Sequence, residues 1–97
     1  MCGIEAHVCV LHTTLDYLAE GYEVFVACDA VSSQSSHDRI VALDRMKTAG
    51  AVLTTTESLI YEMMGGADHH KFKAIVDLTK IYKNEINEFQ DQISTCP

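Results

Sequence analysis

Proline is all but missing from this 97-residue chain. Its single copy is Pro97, so no proline inside the sequence marks a domain boundary or linker. Internal repeats and low-complexity tracts are likewise absent. No uncharged apolar run is long enough to span a bilayer. The opening Met1-Cys2-Gly3-Ile4 lacks the basic start and long apolar region of a secretory signal. Basic residues are scarce: seven against fourteen acidic ones, a net charge of −7. The acidic residues are spread along the chain as a solvated surface, not gathered into a tail. That balance argues against nucleic acid and against an anionic membrane surface as partners. There is no Cys-x-x-Cys pair among Cys2, Cys9, Cys28 and Cys96. Without a signal segment, reduced thiols in a cytosol-like, cytoplasmic setting are expected rather than a disulfide framework. No cofactor is expected.

What is present is globular: 47% hydrophobic and 22% charged residues. Val8, Leu11, Leu15 and Leu18 recur at helical spacing and predict a helix over 8–20, with Gly21 placed to end it. Val24 to Cys28 reads as a strand covered on both faces. Ser35 with Asp38 resembles a capping pair, opening a helix from about Asp38 to Ala49. Ile40, Val41, Leu43 and Met46 give it an apolar face, and Gly50 stops it. Ala51 to Leu53 is a second short strand, expected to lie parallel to the first because a helix crosses between them. Thr55 or Thr56 caps a helix with Leu59, Ile60 and Met63 turned inward, ended by Gly65-Gly66. A last helix begins near residue 69 and uses Phe72, Ile75, Val76, Thr79, Tyr82, Ile86, Phe89 and Ile93. Helices alternating with short strands predict an α/β fold with a parallel sheet. Two strands are too few to cover three or four helices, and Cys2-Gly3-Ile4 reads as the end of a strand. The expectation is therefore an incomplete domain, truncated before residue 1.

Chemistry concentrates in Cys2-Gly3-Ile4-Glu5-Ala6-His7-Val8-Cys9-Val10. A strand end, a glycine turn and a helix start place Cys9 near a helix N-terminus, where free N–H groups and the dipole favour a thiolate. The same groups can steady a developing oxyanion. The plainer alternative is a buried, inert cysteine. His7, Cys9 and His12 invite a metal reading, but tetrahedral zinc needs more convergent ligands than the sequence offers, so none is assigned. His69-His70 reads as a solvated helix start. Asp29 follows a strand and so sits at the edge where ligands bind open α/β sheets. The favoured alternative makes it a loop-fixing carboxylate bonded to nearby backbone or to Ser32 and Ser33. The Thr54–Glu57 run reads as a helix cap.

These motifs resemble a known family. Gly3 to Val10, then Thr13-Thr14-Leu15-Asp16, is similar to the nucleophile segment of the isochorismatase-like cysteine hydrolases, most of all the eukaryotic isochorismatase domain-containing proteins. The likeness continues through Gly21–Val24, Asp29–Ser33, Asp38-Arg39, Arg45-Met46, Ala49–Ala51 and Leu53–Glu57. It assigns residues 1–76 to the C-terminal part of such a domain and 77–97 to a C-terminal helix and tail. It implies a three-layer α/β/α, Rossmann-like fold with a mainly parallel sheet, incomplete at its N-terminal side. It also implies a Cys9 nucleophile acting on a C–N or C–O bond of a small-molecule substrate. The family's aspartate base and lysine belong to an N-terminal half that has no counterpart here, as do the metal ligands of the nicotinamidase relatives. The chain alone is therefore expected to be inactive, or a non-catalytic assembly protein or pseudoenzyme of the same fold. The resemblance further implies a cis peptide at Ile4–Glu5 that turns the Glu5 N–H toward an oxyanion hole beside the N–H of Cys9. An exposed sheet edge is expected to make the chain unstable alone or prone to form homo-oligomers.

Overall fold

A computed structural model describes residues 1–86. A π turn, Ala6–Val10, leads directly into α1 (Leu11–Ala19). Strand β1 (Phe25–Ala27) ends in a single tight turn, Cys28–Ala30. Helix α2 (Ser36–Ala49), strand β2 (Val52–Thr54), α3 (Thr56–Met64) and α4 (Phe72–Ile86) follow in order. The strands pair in parallel, with Phe25 opposite Val52, Val26 opposite Leu53 and Ala27 opposite Thr54. The α/β class and the parallel pairing across a crossover helix are as the sequence predicts.

The opening residues behave as a third strand-like segment. The Met1 ammonium donates to the Phe25 carbonyl at 2.7 Å, and the Ala27 N–H donates to the Met1 carbonyl at 3.1 Å. Two residues on, Gly3 forms a parallel bridge with Val31. Residues 1–3 thus run alongside β1, on the opposite side from β2.

The helices start and stop where their side chains dictate. Ser35 Oγ accepts the Asp38 N–H at 3.4 Å, and Thr55 Oγ1 accepts the Ser58 N–H at 3.2 Å. Both caps satisfy donors that a helix start leaves open. Gly50 (φ 114°) and Gly65 (φ 83°) close α2 and α3 in the left-handed region that a side chain disfavours. The core gathers Ala6, Val10 and Leu11 from the first helical stretch, Val24 and Val26 from the strand region, and Ala42, Leu43 and Met46 from α2.

Several sequence expectations move. The buried stripe of α2 is Arg39, Ala42, Leu43 and Met46, while Val41 faces solvent. A helix turns about 100° per residue, so Val41 cannot share a face with Leu43 and Met46. At the N-terminal helix Val8 is exposed and Val10 is buried, because the π turn bonds five residues back and shifts the phase. Met63 points outward at 83% exposed, and Tyr82 is also exposed. The side chain of Ile86, and Phe89 and Ile93, lie outside the described residues. Cys2 and Cys9 are free thiols, whereas Cys28 is disulfide-bonded. That departs from the expectation of reduced thiols throughout.

Candidate functional site

The site is built by stitching residues 3–7 onto the loop that follows β1. The Gly3 N–H donates to the Ala30 carbonyl (3.1 Å) and the Ser32 N–H to the Gly3 carbonyl (3.3 Å). Ser32 Oγ donates to the Ile4 carbonyl (2.6 Å), and the Ala6 N–H donates to the Ser32 carbonyl (2.6 Å). The His7 ring closes the series, with Nδ1 2.9 Å from Ser33 Oγ. Gly3 is required by close approach: a Cβ there would stand 2.6 Å from Val10 Cγ2 and 3.6 Å from Cys9 Sγ.

Cys9 rides on the π turn and is exposed. Such turns are rare and frequently occur at functional sites. Its sulfur donates to the Glu5 carbonyl at 3.5 Å. The Val8 N–H (3.2 Å) and the Val10 N–H (3.3 Å) donate to that same oxygen. The side chain of Glu5 is partly buried. Its Oε2 is buried without a hydrogen bond, 3.4 Å from His7 Nδ1. On the far side of the ring, Nε2 is 4.0 Å from Asp38 Oδ2, in the first turn of α2.

The Ile4–Glu5 peptide is trans, as are all the described peptide bonds, which corrects the cis bond implied by the resemblance. A non-proline cis bond costs about 3 kcal/mol and persists only where the surroundings force it. Ile4 is 79% exposed, so little packs against this bond to force it. The Glu5 N–H is therefore not turned beside that of Cys9 by a cis bond.

Asp29 is committed elsewhere. Its Oδ1 accepts both the Thr56 N–H (2.8 Å) and Thr56 Oγ1 (2.9 Å), capping α3 from the end of β1. The carboxylate fixes a helix, with Thr56 as partner rather than Ser32 or Ser33. Arg39, only 7% exposed, reaches back under the same loop. Its Nε donates to the Val31 carbonyl at 3.1 Å and its Nη2 to the Cys28 carbonyl. Burial lowers the pKa of this guanidinium, and the nearby Asp29 charge opposes that effect. An arginine stays charged at neutral pH regardless. Sequence reasoning missed Arg39 and the His7–Ser33 link. Arg39 was detectable by its spacing, since it lies on the same helical stripe as Leu43 and Met46.

His12 is exposed and makes no hydrogen bond to His7 or Cys9, and among the described residues no three His, Cys, Asp or Glu side chains converge to hold a metal ion. Nor is any described helix long and apolar enough to cross a membrane.

Comparison with known proteins places this geometry in context. The isochorismatase domain profile matches residues 1–58. The chain is 50% identical over 84 residues to isochorismatase family protein 1B of Dictyostelium discoideum, covering 87% of this chain and 41% of that protein. It is 52% identical over 80 residues to human isochorismatase domain-containing protein 2, covering 82% and 39%. Among solved structures, one described as the MAR1 ribonuclease from Caenorhabditis elegans superposes with a TM-score of 0.75 at 55% identity, covering 79% of this chain and 40% of that one. The chain thus spans about two-fifths of the length of the curated relatives it matches. The profile covers more than half of this chain, and the chain belongs to the isochorismatase domain family.

Proposed function

We propose that this chain carries the nucleophile-bearing portion of an isochorismatase-family hydrolase. In that reading the complete domain cleaves a C–N or C–O bond of a small metabolite. The Cys9 sulfur attacks the electrophilic carbon, the leaving group departs with a proton, and water releases the covalent intermediate. This chain does not turn over by itself. One observation carries the reading: Cys9 is exposed on a built turn, yet among the described residues its sulfur hydrogen-bonds only the Glu5 carbonyl. A general base must come within hydrogen-bond reach of the proton it removes. The Glu5 carbonyl accepts the thiol hydrogen bond but is too weak a base to take the proton.

The experiment is a turnover assay of the purified chain on amide and vinyl-ether substrates, with Cys9→Ser as control. An RNA substrate is included because of the C. elegans relative's description. No turnover is expected on any of them. Turnover abolished by Cys9→Ser would show that a base exists within this sequence and would overturn the claim of inactivity.

A further inference from the structure

We propose that His7 is a positioning residue for Cys9: its ring clasps the π turn to the loop after β1 and to the start of α2, and protonation of the ring tightens the clasp. The inference rests on the reading of Cys9 as the nucleophile.

Glu5 links the clasp to the sulfur. Its main-chain carbonyl is the point on which Val8 N–H, Val10 N–H and the Cys9 S–H converge, so wherever Glu5 sits, the sulfur follows. Its carboxylate Oε2 is buried with no hydrogen bond, and a buried polar atom left unmatched is costly. The group facing that oxygen is His7 Nδ1 at 3.4 Å. The same Nδ1 is 2.9 Å from Ser33 Oγ. Within 4.0 Å, the charged groups among the described residues that face the ring are Glu5, next to the turn, and Asp38 from α2. Ser33 adds a neutral hydroxyl from the intervening loop.

A neutral imidazole has one N–H, and its other nitrogen only accepts. It can bond Ser33, but it cannot also present a donor toward each carboxylate. A protonated ring donates from both nitrogens and places a positive charge between Glu5 and Asp38. Acidification therefore draws Glu5 and α2 toward the ring and holds the Cys9 sulfur against the Glu5 carbonyl. Deprotonation loosens the turn and frees the sulfur to move.

The test follows iodoacetamide labelling of Cys9 in the 97-residue chain by peptide mass spectrometry from about pH 5 to 9, a range that brackets the charge change of an imidazole. Cys2, the other free thiol among the described residues, serves as the internal reference. His7→Phe removes both ring nitrogens, His7→Asn retains a bonding group near Ser33 without titrating, and Ser33→Ala cuts the clasp from the loop side. Far-UV circular dichroism identifies variants that keep the fold. In wild type, the Cys9-to-Cys2 labelling ratio should show a step that is absent from His7→Asn. In His7→Phe and Ser33→Ala the ratio below that step should rise about fivefold, the worth of one net hydrogen bond. Superimposable ratio profiles for wild type and His7→Asn would overturn the proposal. So would Ser33→Ala or His7→Phe speeding Cys2 and Cys9 equally, since that is general loosening. If Cys2 outpaces Cys9 in folded wild type, the nucleophile reading falls, while the ratio profiles still decide the clasp.

Discussion

Replacing Asp29 tests whether this carboxylate serves the fold or a ligand. Its Oδ1 takes two hydrogen bonds from Thr56, at 2.8 and 2.9 Å, at the first turn of α3. Hydrogen bonds to a charged group contribute about 1.5–3 kcal/mol, and a negative charge at a helix N-terminus adds about 0.3–1 kcal/mol. Asp29 is only half-buried, and the two bonds share one acceptor, so the contributions do not sum in full. Asp29→Ala should cost about 2–3 kcal/mol, leaving the Thr56 N–H open and removing the charge that offsets buried Arg39. Asp29→Asn keeps an acceptor oxygen and should cost about 1 kcal/mol. With a urea slope of about 1–3 kcal/mol/M for a small protein, Asp29→Ala should lower the unfolding midpoint by about 0.7–3 M, and Asp29→Asn by half as much or less. Equilibrium urea unfolding followed by circular dichroism measures both. An Asp29→Ala midpoint within error of wild type would refute the reasoning and return Asp29 to the ligand-binding edge.

Two further outcomes follow from the packing. Gly3→Ala should destabilise by about 1–3 kcal/mol and speed Cys9 labelling, because its Cβ would meet buried Val10 at 2.6 Å; a thermal melt unchanged from wild type would contradict this. The isolated chain should self-associate, because apolar side chains such as Ile4 (79% exposed), Tyr22 (62%) and Ile81 (59%) stand in solvent and the described sheet has only two strands; sedimentation velocity showing a compact monomer with a cooperative melt would exclude it.

Much of the architecture was legible because it rests on local rules. Ser35, Thr55, Gly50 and Gly65 act within a few residues of themselves, so their roles as caps and stops can be read from sequence. The parallel strands followed from the crossover between them. Side-chain direction was less legible. Val41 looks like a core residue by composition, and Arg39 looks like a surface one. The stripe of α2 reverses both: helical phase turns Val41 outward, while Arg39 turns inward and donates to the Val31 and Cys28 carbonyls. The position of Cys9 on its turn could be read, but the partners that hold the turn could not. Ser32, Ser33 and Asp38 approach residues 4–7 only after the chain has folded back, and nothing in their spacing announces it. Asp29 shows the same limit: its role as a fixing carboxylate was foreseen, but its partner lies 27 residues away.

The long reach of these contacts bears on how the site assembles. The hydrogen bonds between residues 4–7 and the loop after β1 include separations of 26 and 28 positions. Those of the helices span only a few. Distant pairings must meet the entropy of closing a loop before they return any stability, so they tend to form late and to open early. The surroundings of Cys9 are therefore a property of the assembled chain and not of its local segment. A peptide of residues 1–20 would contain the cysteine, the glycine and the helix-forming pattern, yet it would lack Ser32, Ser33 and Asp38 and hence every tertiary bond that shapes the turn.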